Sequence, residues 1–180
     1  MANIMGIDVG FGNMGIVVVN NNDIVYYQTI STKPAGKKKK VSVADDDARR
    51  TNTLYLGLRE VIDEYKPVVA FVESPTGGSQ SSRAARTMGM GSSAVWCALS
   101  EKQIPYEQIS PRISKKMVAG SSRAQKEEIQ EVVLDYFNWP DTIHKEDKNR
   151  TEHVCDAAGV ILAAVRLKSP LLKEVGIHYE

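Results

Sequence analysis

Five consecutive apolar residues, Val68-Val69-Ala70-Phe71-Val72, stand between Pro67 and Glu73. A run without polar alternation suits a buried parallel strand, covered by helices on both faces. Its upstream flank agrees: Leu54, Leu58, Val61, Ile62 and Tyr65 recur at helical spacing and stop at Pro67. A helix feeding an apolar strand is the recurring unit of α/β folds.

The segments on either side complete the architecture. Ile4 to Val9 and Gly15 to Asn20 read as strands joined by a glycine-rich turn, and Ile24 to Ile30 as a third after the polar turn 20–23. These three form an antiparallel meander. Ser31 to Asp47 has no apolar periodicity; with Lys37-Lys38-Lys39-Lys40 it predicts a mobile basic loop, and Asp45-Asp46-Asp47 start the next helix. A second helix is expected from about Ser81 to Gln103, rich in small residues around Gly89 and Gly91, and a fifth strand from Ile104 to Ile109. Ser122-Arg123-Ala124-Gln125 reads as a capping box opening a helix to about Phe137. Thr151 to Leu167 is the last long helix, with Ala157, Val160, Ile161, Ala164 and Val165 on its buried stripe. The order predicts one α/β domain over residues 1–180: a five-stranded mixed sheet with helices on both faces and a tail over 168–180.

Composition excludes several classes. No apolar run approaches the roughly 20 residues that span a bilayer, and the start lacks a secretory pattern. Cys97 and Cys155 lie far apart without metal-ligand spacing, so they read as reduced thiols of a cytoplasmic protein. The net charge of +1 conceals an uneven distribution. Residues 78–126 hold eight basic and two acidic side chains, whereas 127–180 hold six and eleven. A polyanion such as DNA accounts for the first segment; a solvated helix face accounts for it equally well.

Asp8 ends an apolar strand, and so does Glu73. Asp156 sits among alanines in the last helix, with His153 one turn earlier on the same face. Singly, each has a structural explanation as a cap, a loop start or a partnered histidine. Together, three acids in buried surroundings repel unless a cation lies between them. Hard oxygen ligands favour Mg²⁺ or Mn²⁺, and two such ions suit phosphodiester cleavage.

Four segments carry a family resemblance over about residues 3–167: Gly6-Ile7-Asp8-Val9-Gly10, Phe71-Val72-Glu73-Ser74, the basic stretch from Pro111 to Lys126, and His153-Val154-Cys155-Asp156-Ala157-Ala158. The chain resembles the RuvC-type Holliday-junction resolvases of the RNase H-like superfamily. That resemblance implies an RNase H-like fold and a homodimeric, structure-selective DNA endonuclease. Such an enzyme resolves four-way junctions by paired symmetric nicks in recombination and repair. It implies a catalytic and metal-binding set of Asp8, Glu73, His153 and Asp156. Asp8 would bridge two Mg²⁺ or Mn²⁺ ions, Glu73 and Asp156 would hold one each, and His153 would bind an ion or orient the water. Lys115 and Lys126 would face DNA near the site; Arg83, Arg86, Arg112, Lys116 and Arg123 would bind phosphates. Glu152 is a possible substitute ligand outside the family pattern, and the small-residue second helix is a candidate dimer interface, with tight packing on its own sheet an equal alternative.

Two departures stand out. By that resemblance, cellular members tend to place an aromatic residue just after the catalytic Glu, whereas here Ser74 to Gln80 has none, which fits looser readout of branched DNA. The run Lys37–Lys40 matches nothing in the family and reads as a phosphate-binding arm or a solvated loop, with the arm preferred. Two alternatives use the same residues: an actin/Hsp70-type ATPase, whose phosphate loop also follows a strand with Asp-x-Gly, and a non-catalytic binder of branched DNA. The ATPase needs two duplicated domains, for which 180 residues without a repeat are too few.

Overall fold

Apolar residues on both sides of the central strands dictate the layers. The computed structural model describes residues 2–36, 41–75, 81–145 and 148–177. Its strands are β1 (Asn3–Asp8), β2 (Asn13–Asn20), β3 (Asp23–Ser31), β4 (Val69–Glu73) and β5 (Tyr106–Ile109). They form one sheet in the order β3-β2-β1-β4-β5. β1, β2 and β3 pair antiparallel, while β4 runs parallel to β1 and β5 parallel to β4. Asp8 and Glu73 therefore end neighbouring parallel strands at the same edge of the sheet.

The helices are α1 (Val43–Tyr65), α2 (Ser82–Glu101), α3 (Pro111–Ala119), α4 (Lys126–Tyr136), α5 (Lys148–Arg166) and a short α6 (Pro170–Glu174). Alternation along the strands sends Met5, Ile7, Ile16 and Val18 to the α1–α2 face, against Leu54, Leu58, Val95 and Leu99. Ile4, Val17, Val19 and Phe71 face the other way, against Ala157 and Ile161 of α5 and Val118 and Val133 of α3 and α4. Each such side chain, once fully buried, contributes about 1.5–3 kcal/mol, so the two cores hold the sheet from both sides. Among the described residues no helix is long and apolar enough to cross a membrane.

Several expectations shift. The loop expected over 31–47 is shorter: β3 continues through Ser31 and α1 begins at Val43. Ser42 caps it, accepting from the Asp45 backbone N–H at 3.1 Å, with Asp45 and Asp46 in the first turn as the helix dipole favours. The Lys37–Lys40 run lies outside the described residues, as does 76–80 of the segment after Glu73.

The capping box lies one turn later than expected. Gln125, not Ser122, is the N-cap of α4, and its N–H donates to the Glu128 carboxylate at 2.7 Å. The basic stretch at 111–119 is a helix in its own right. Ser110 accepts from the Ile113 N–H, Pro111 occupies the first turn, and Gly120 ends it with φ 75°. In the predicted tail, Pro170–Glu174 is helical and Leu172 is buried against the α5 side of the core.

Candidate active site

Two glycines decide how closely α5 approaches the sheet. A Cβ on Gly6 would lie 2.1 Å from the Ala157 carbonyl oxygen, and one on Gly15 would lie 2.0 Å from that of His153. Without side chains at these two positions, the helix backbone rests directly on β1 and β2. His153 and Asp156, one turn apart, are thereby held over the end of β1. The His153 Nδ1–H donates to Asp8 Oδ2 at 2.8 Å, joining residues 145 positions apart.

The electrostatics reflect crowding of like charge in a half-dry place. Burial pushes the Glu73 carboxyl up to about 8; the charges of Asp8 and Asp156 and a hydrogen bond with Asp8 push in the same direction. Lys115 is close enough to oppose this shift. Burial, followed by the charge of Asp8, raises Asp156 to about 6, against the opposing charge of Lys126. The hydrogen bond to Asp8 raises the pKa of His153 despite its burial. Asp8, Glu73, His153 and Asp156 thus form one electrostatic cluster.

Among the described residues, no group of three or more His, Cys, Asp and Glu side chains is drawn together tightly enough to grip an ion as it stands. The donor chemistry nevertheless fits a hard divalent cation, because three carboxylates and an imidazole share one electrostatic cluster in which burial and then mutual repulsion raise the pKa of two of the acids.

The basic residues divide into two groups. Lys115, on α3, donates to the Ala124 carbonyl at 3.0 Å, and Lys126, at the start of α4, pairs with Glu152. Both border the acids. Arg112, Lys116 and Arg123 are exposed nearby on α3 and the α3–α4 turn. Glu152, the possible substitute ligand, is engaged by Lys126. Arg83 and Arg86 stand apart on α2, where they approach Asp47 of α1 at 3.5 and 2.6 Å. Asp47 has no exposed surface, yet the acidic run 45–47 reads from sequence only as a solvated helix start. One pattern could have exposed it: Asp47 lies seven residues before Leu54 and eleven before Leu58, on the same buried stripe of α1.

Helix α2 buries Ala94, Val95, Ala98 and Leu99 on its own sheet. At Gly91 it lies beside the turn after β1, with room for a methyl group at ordinary contact with the Phe11 nitrogen, 3.5 Å. Its other side borders a groove of about 490 Å³ between α1 and α2, lined by Thr51, Tyr55, Met90, Ser93 and Cys97 among others.

A family profile described as "Crossover junction endodeoxyribonuclease RuvC" matches residues 4–163. A curated relative of that name from Moorella thermoacetica is 30% identical over 116 residues, which cover 64% of this chain and 65% of the relative. Another, from Dehalococcoides mccartyi, is 36% identical over 90 residues, 50% of this chain and 53% of its own length. One from Teredinibacter turnerae is 25% identical over 98% of this chain and 94% of the relative. The chain thus spans only about half to two thirds of the first two of these relatives. Among solved structures, Thermus thermophilus RuvC in complex with Holliday junction substrate superposes with a TM-score of 0.74 at 21% identity, covering 93% of this chain and 95% of that one. The yeast mitochondrial Holliday junction resolvase gives 0.65 at 13% identity, covering 96% and 81%. These likenesses establish the RNase H-like fold expected from the sequence.

Proposed function

Since the chain belongs to the RuvC crossover junction endodeoxyribonuclease family, we propose that it is a divalent-cation-dependent DNA endonuclease that resolves four-way junctions by paired nicks. The observation that carries this reading is the cluster of Asp8, Glu73, His153 and Asp156 at one edge of the sheet, bordered by Lys115 and Lys126.

In this reading Asp8 is the central ligand, flanked by Glu73 on β4 and Asp156 on α5. A bound Mg²⁺ or Mn²⁺ would lower the pKa of water and offset charge on the departing oxygen. His153 would either ligate the cation or, held by Asp8, orient and deprotonate the water. Lys115 and Lys126 hold the flanking phosphates, and Arg112, Lys116 and Arg123 extend that contact along the backbone. Arg83 and Arg86 reach phosphate only beyond their pairing with Asp47. A two-fold substrate calls for a two-fold enzyme, and the α1–α2 face with its groove is the surface assigned to the homodimer.

The turn after Asp8 buries the Phe11 side chain in the core and bonds its Phe11 and Gly12 carbonyls to Thr32. The test uses a synthetic four-way junction with Mg²⁺ or Mn²⁺. The wild type should cut opposing strands symmetrically, while Asp8→Asn should bind but not cut. A wild type that binds without cutting, or an Asp8→Asn protein that cuts equally well, overturns the assignment. A protein that cuts as a monomer overturns the paired-nick model alone.

A further inference from the structure

Two oppositely charged side chains lie buried one turn apart on α1, outside the acidic site. Arg50 is 6% exposed and Asp47 is 0% exposed. Buried ions are poor sources of stability, because desolvation cancels most of the attraction and a packed apolar pair commonly does as well. What they connect therefore matters more than how strongly they bind.

Arg50 connects to the turn after Asp8. Its guanidinium carbon lies 4.2 Å from the centre of the Phe11 ring. Its Nε donates to Thr32 Oγ1 at 3.1 Å, and its Nη2 lies 3.4 Å from the Phe11 and Thr32 carbonyl oxygens. Thr32 completes the grip: its hydroxyl donates to the Phe11 carbonyl at 2.5 Å and its N–H to the Gly12 carbonyl at 2.7 Å. The turn three residues beyond Asp8 is thus held by Arg50 of α1 and by Thr32 just after β3.

Asp47 connects to the start of α2: Arg83 and Arg86 in its first turns bind Asp47. The first half of α1 is therefore braced against the turn that leaves Asp8 and against the first turns of α2.

We propose that Asp47 and Arg50 are positioning residues for the acidic site, Arg50 fixing the turn that follows Asp8 and Asp47 fixing the helix that follows Glu73. The role rests on the cluster being a cation-dependent nuclease site. Both are buried away from solvent; Arg50 acts through the backbone of the turn after Asp8, and Asp47 through the seating of α2, which packs beside Val9 and Phe11 of that turn, as outer partners of metal ligands do elsewhere. Asp47→Asn removes the charge and keeps the shape. Arg50→Lys keeps the charge but loses the planar fork that reaches three oxygens at once.

The deciding measurement is Mn²⁺ binding to the free protein by calorimetry, beside melting curves, junction affinity without metal, and single-turnover cleavage. Leu172→Ala, a cavity in the α6 packing, serves as the control for general destabilisation. Both α1 variants should bind Mn²⁺ about tenfold or more weakly and lose cleavage rate in step. Their junction affinity should hold within about threefold. The control should melt earlier with Mn²⁺ affinity unchanged. If the α1 variants melt earlier but bind Mn²⁺ and cut like the wild type, the residues are merely structural and the proposal is wrong. If Asp47→Asn does not fold, Arg50→Lys decides alone. A wild type that binds no Mn²⁺ at millimolar concentration overturns the site itself, and the positioning role with it.

Discussion

Gly15→Ala puts the contact between α5 and the sheet under direct strain. The new methyl would sit 2.0 Å from the His153 carbonyl oxygen and 3.1 Å from its Cβ. Ordinary contact starts at 3.4 Å, so the helix backbone has to retreat by about 1.4 Å at the residue that holds Asp8. A carbonyl in mid-helix cannot swing aside as the end of a flexible side chain can. Overpacking of this kind costs about 1–3 kcal/mol, which in a chain of this size lowers Tm by roughly 2–12 °C. The larger effect should be chemical: a displacement near 1 Å at a catalytic group costs about 100-fold in rate. The assay pairs thermal melting with single-turnover cleavage of a four-way junction. Gly159→Ala serves as the comparison, because its methyl would meet Val133 at a comfortable 3.7 Å. That substitution should leave cleavage intact and raise stability by up to about 1 kcal/mol through helix propensity. A Gly15→Ala protein that melts and cuts like the wild type would refute the idea that bare backbone contact positions His153.

In metal-free protein, Glu73 at about 8 and Asp156 at about 6 both bind protons more tightly when folded than when unfolded. Their contribution to stability is therefore complete below their ordinary values of 4.5 and 3.8 and is lost as pH rises through 6 and then 8. The raised pKa of His153 acts with the same sign, its contribution present below 6.5 and lost above. Melting temperature in chelator should fall from pH 5 to pH 8, and Glu73→Gln should melt above the wild type at pH 8; a rising profile contradicts this. Asp8→Asn should bring the His153 pKa down towards 6.5, read from its imidazole proton shifts, and an unmoved titration would mean the hydrogen bond is not its cause. Lys126→Ala should weaken junction binding regardless of sequence and reduce the salt slope by about one. Stability should change by no more than about 1 kcal/mol, since the Lys126 side of its pair with Glu152 is exposed to solvent. In the dissociated monomer a thiol reagent should modify Cys97, which lines the groove assigned to the homodimer, and spare Cys155, which is buried with its thiol pushed up to about 12; two equally fast thiols would contradict that packing.

The parts legible in the sequence are those with a local signature. The apolar run ending on Glu73, the meander of strands around Asp8 and the alanine-rich helix after His153 all appear in the sheet and helices where periodicity puts them. Helix α3 escaped notice because nine residues with few apolar positions leave only its caps as signals, Ser110-Pro111 ahead and Gly120 behind. Helix α4 starts late because the polar turn at 121–125 offers two pairs at capping-box spacing, Ser122–Gln125 and Gln125–Glu128, and it is the second that bonds reciprocally. Arg83 and Arg86 look like phosphate ligands by charge alone; their partner on α1 is a tertiary contact across 36 and 39 positions of chain, which no local pattern encodes. Asp8 and His153 illustrate the same limit from the other side. Their types and elements were readable, but their 2.8 Å contact depends on the missing side chains of Gly6 and Gly15.

The 145 positions between Asp8 and His153 also have a consequence for how the protein is made. At about 5–20 residues per second, a ribosome needs roughly 7–30 s to travel from one to the other. During that interval β1, β2 and β4 can pair and gain α1 and α2 on one face, but Ile4, Val17 and Phe71 on the other face have no α5 to cover them. The nascent chain therefore carries an exposed apolar sheet face until almost all of the domain has emerged, which makes it a client for chaperones and prone to self-association. The same delay postpones assembly of the acidic cluster, so the chain gains its chemistry only as it loses its stickiest surface.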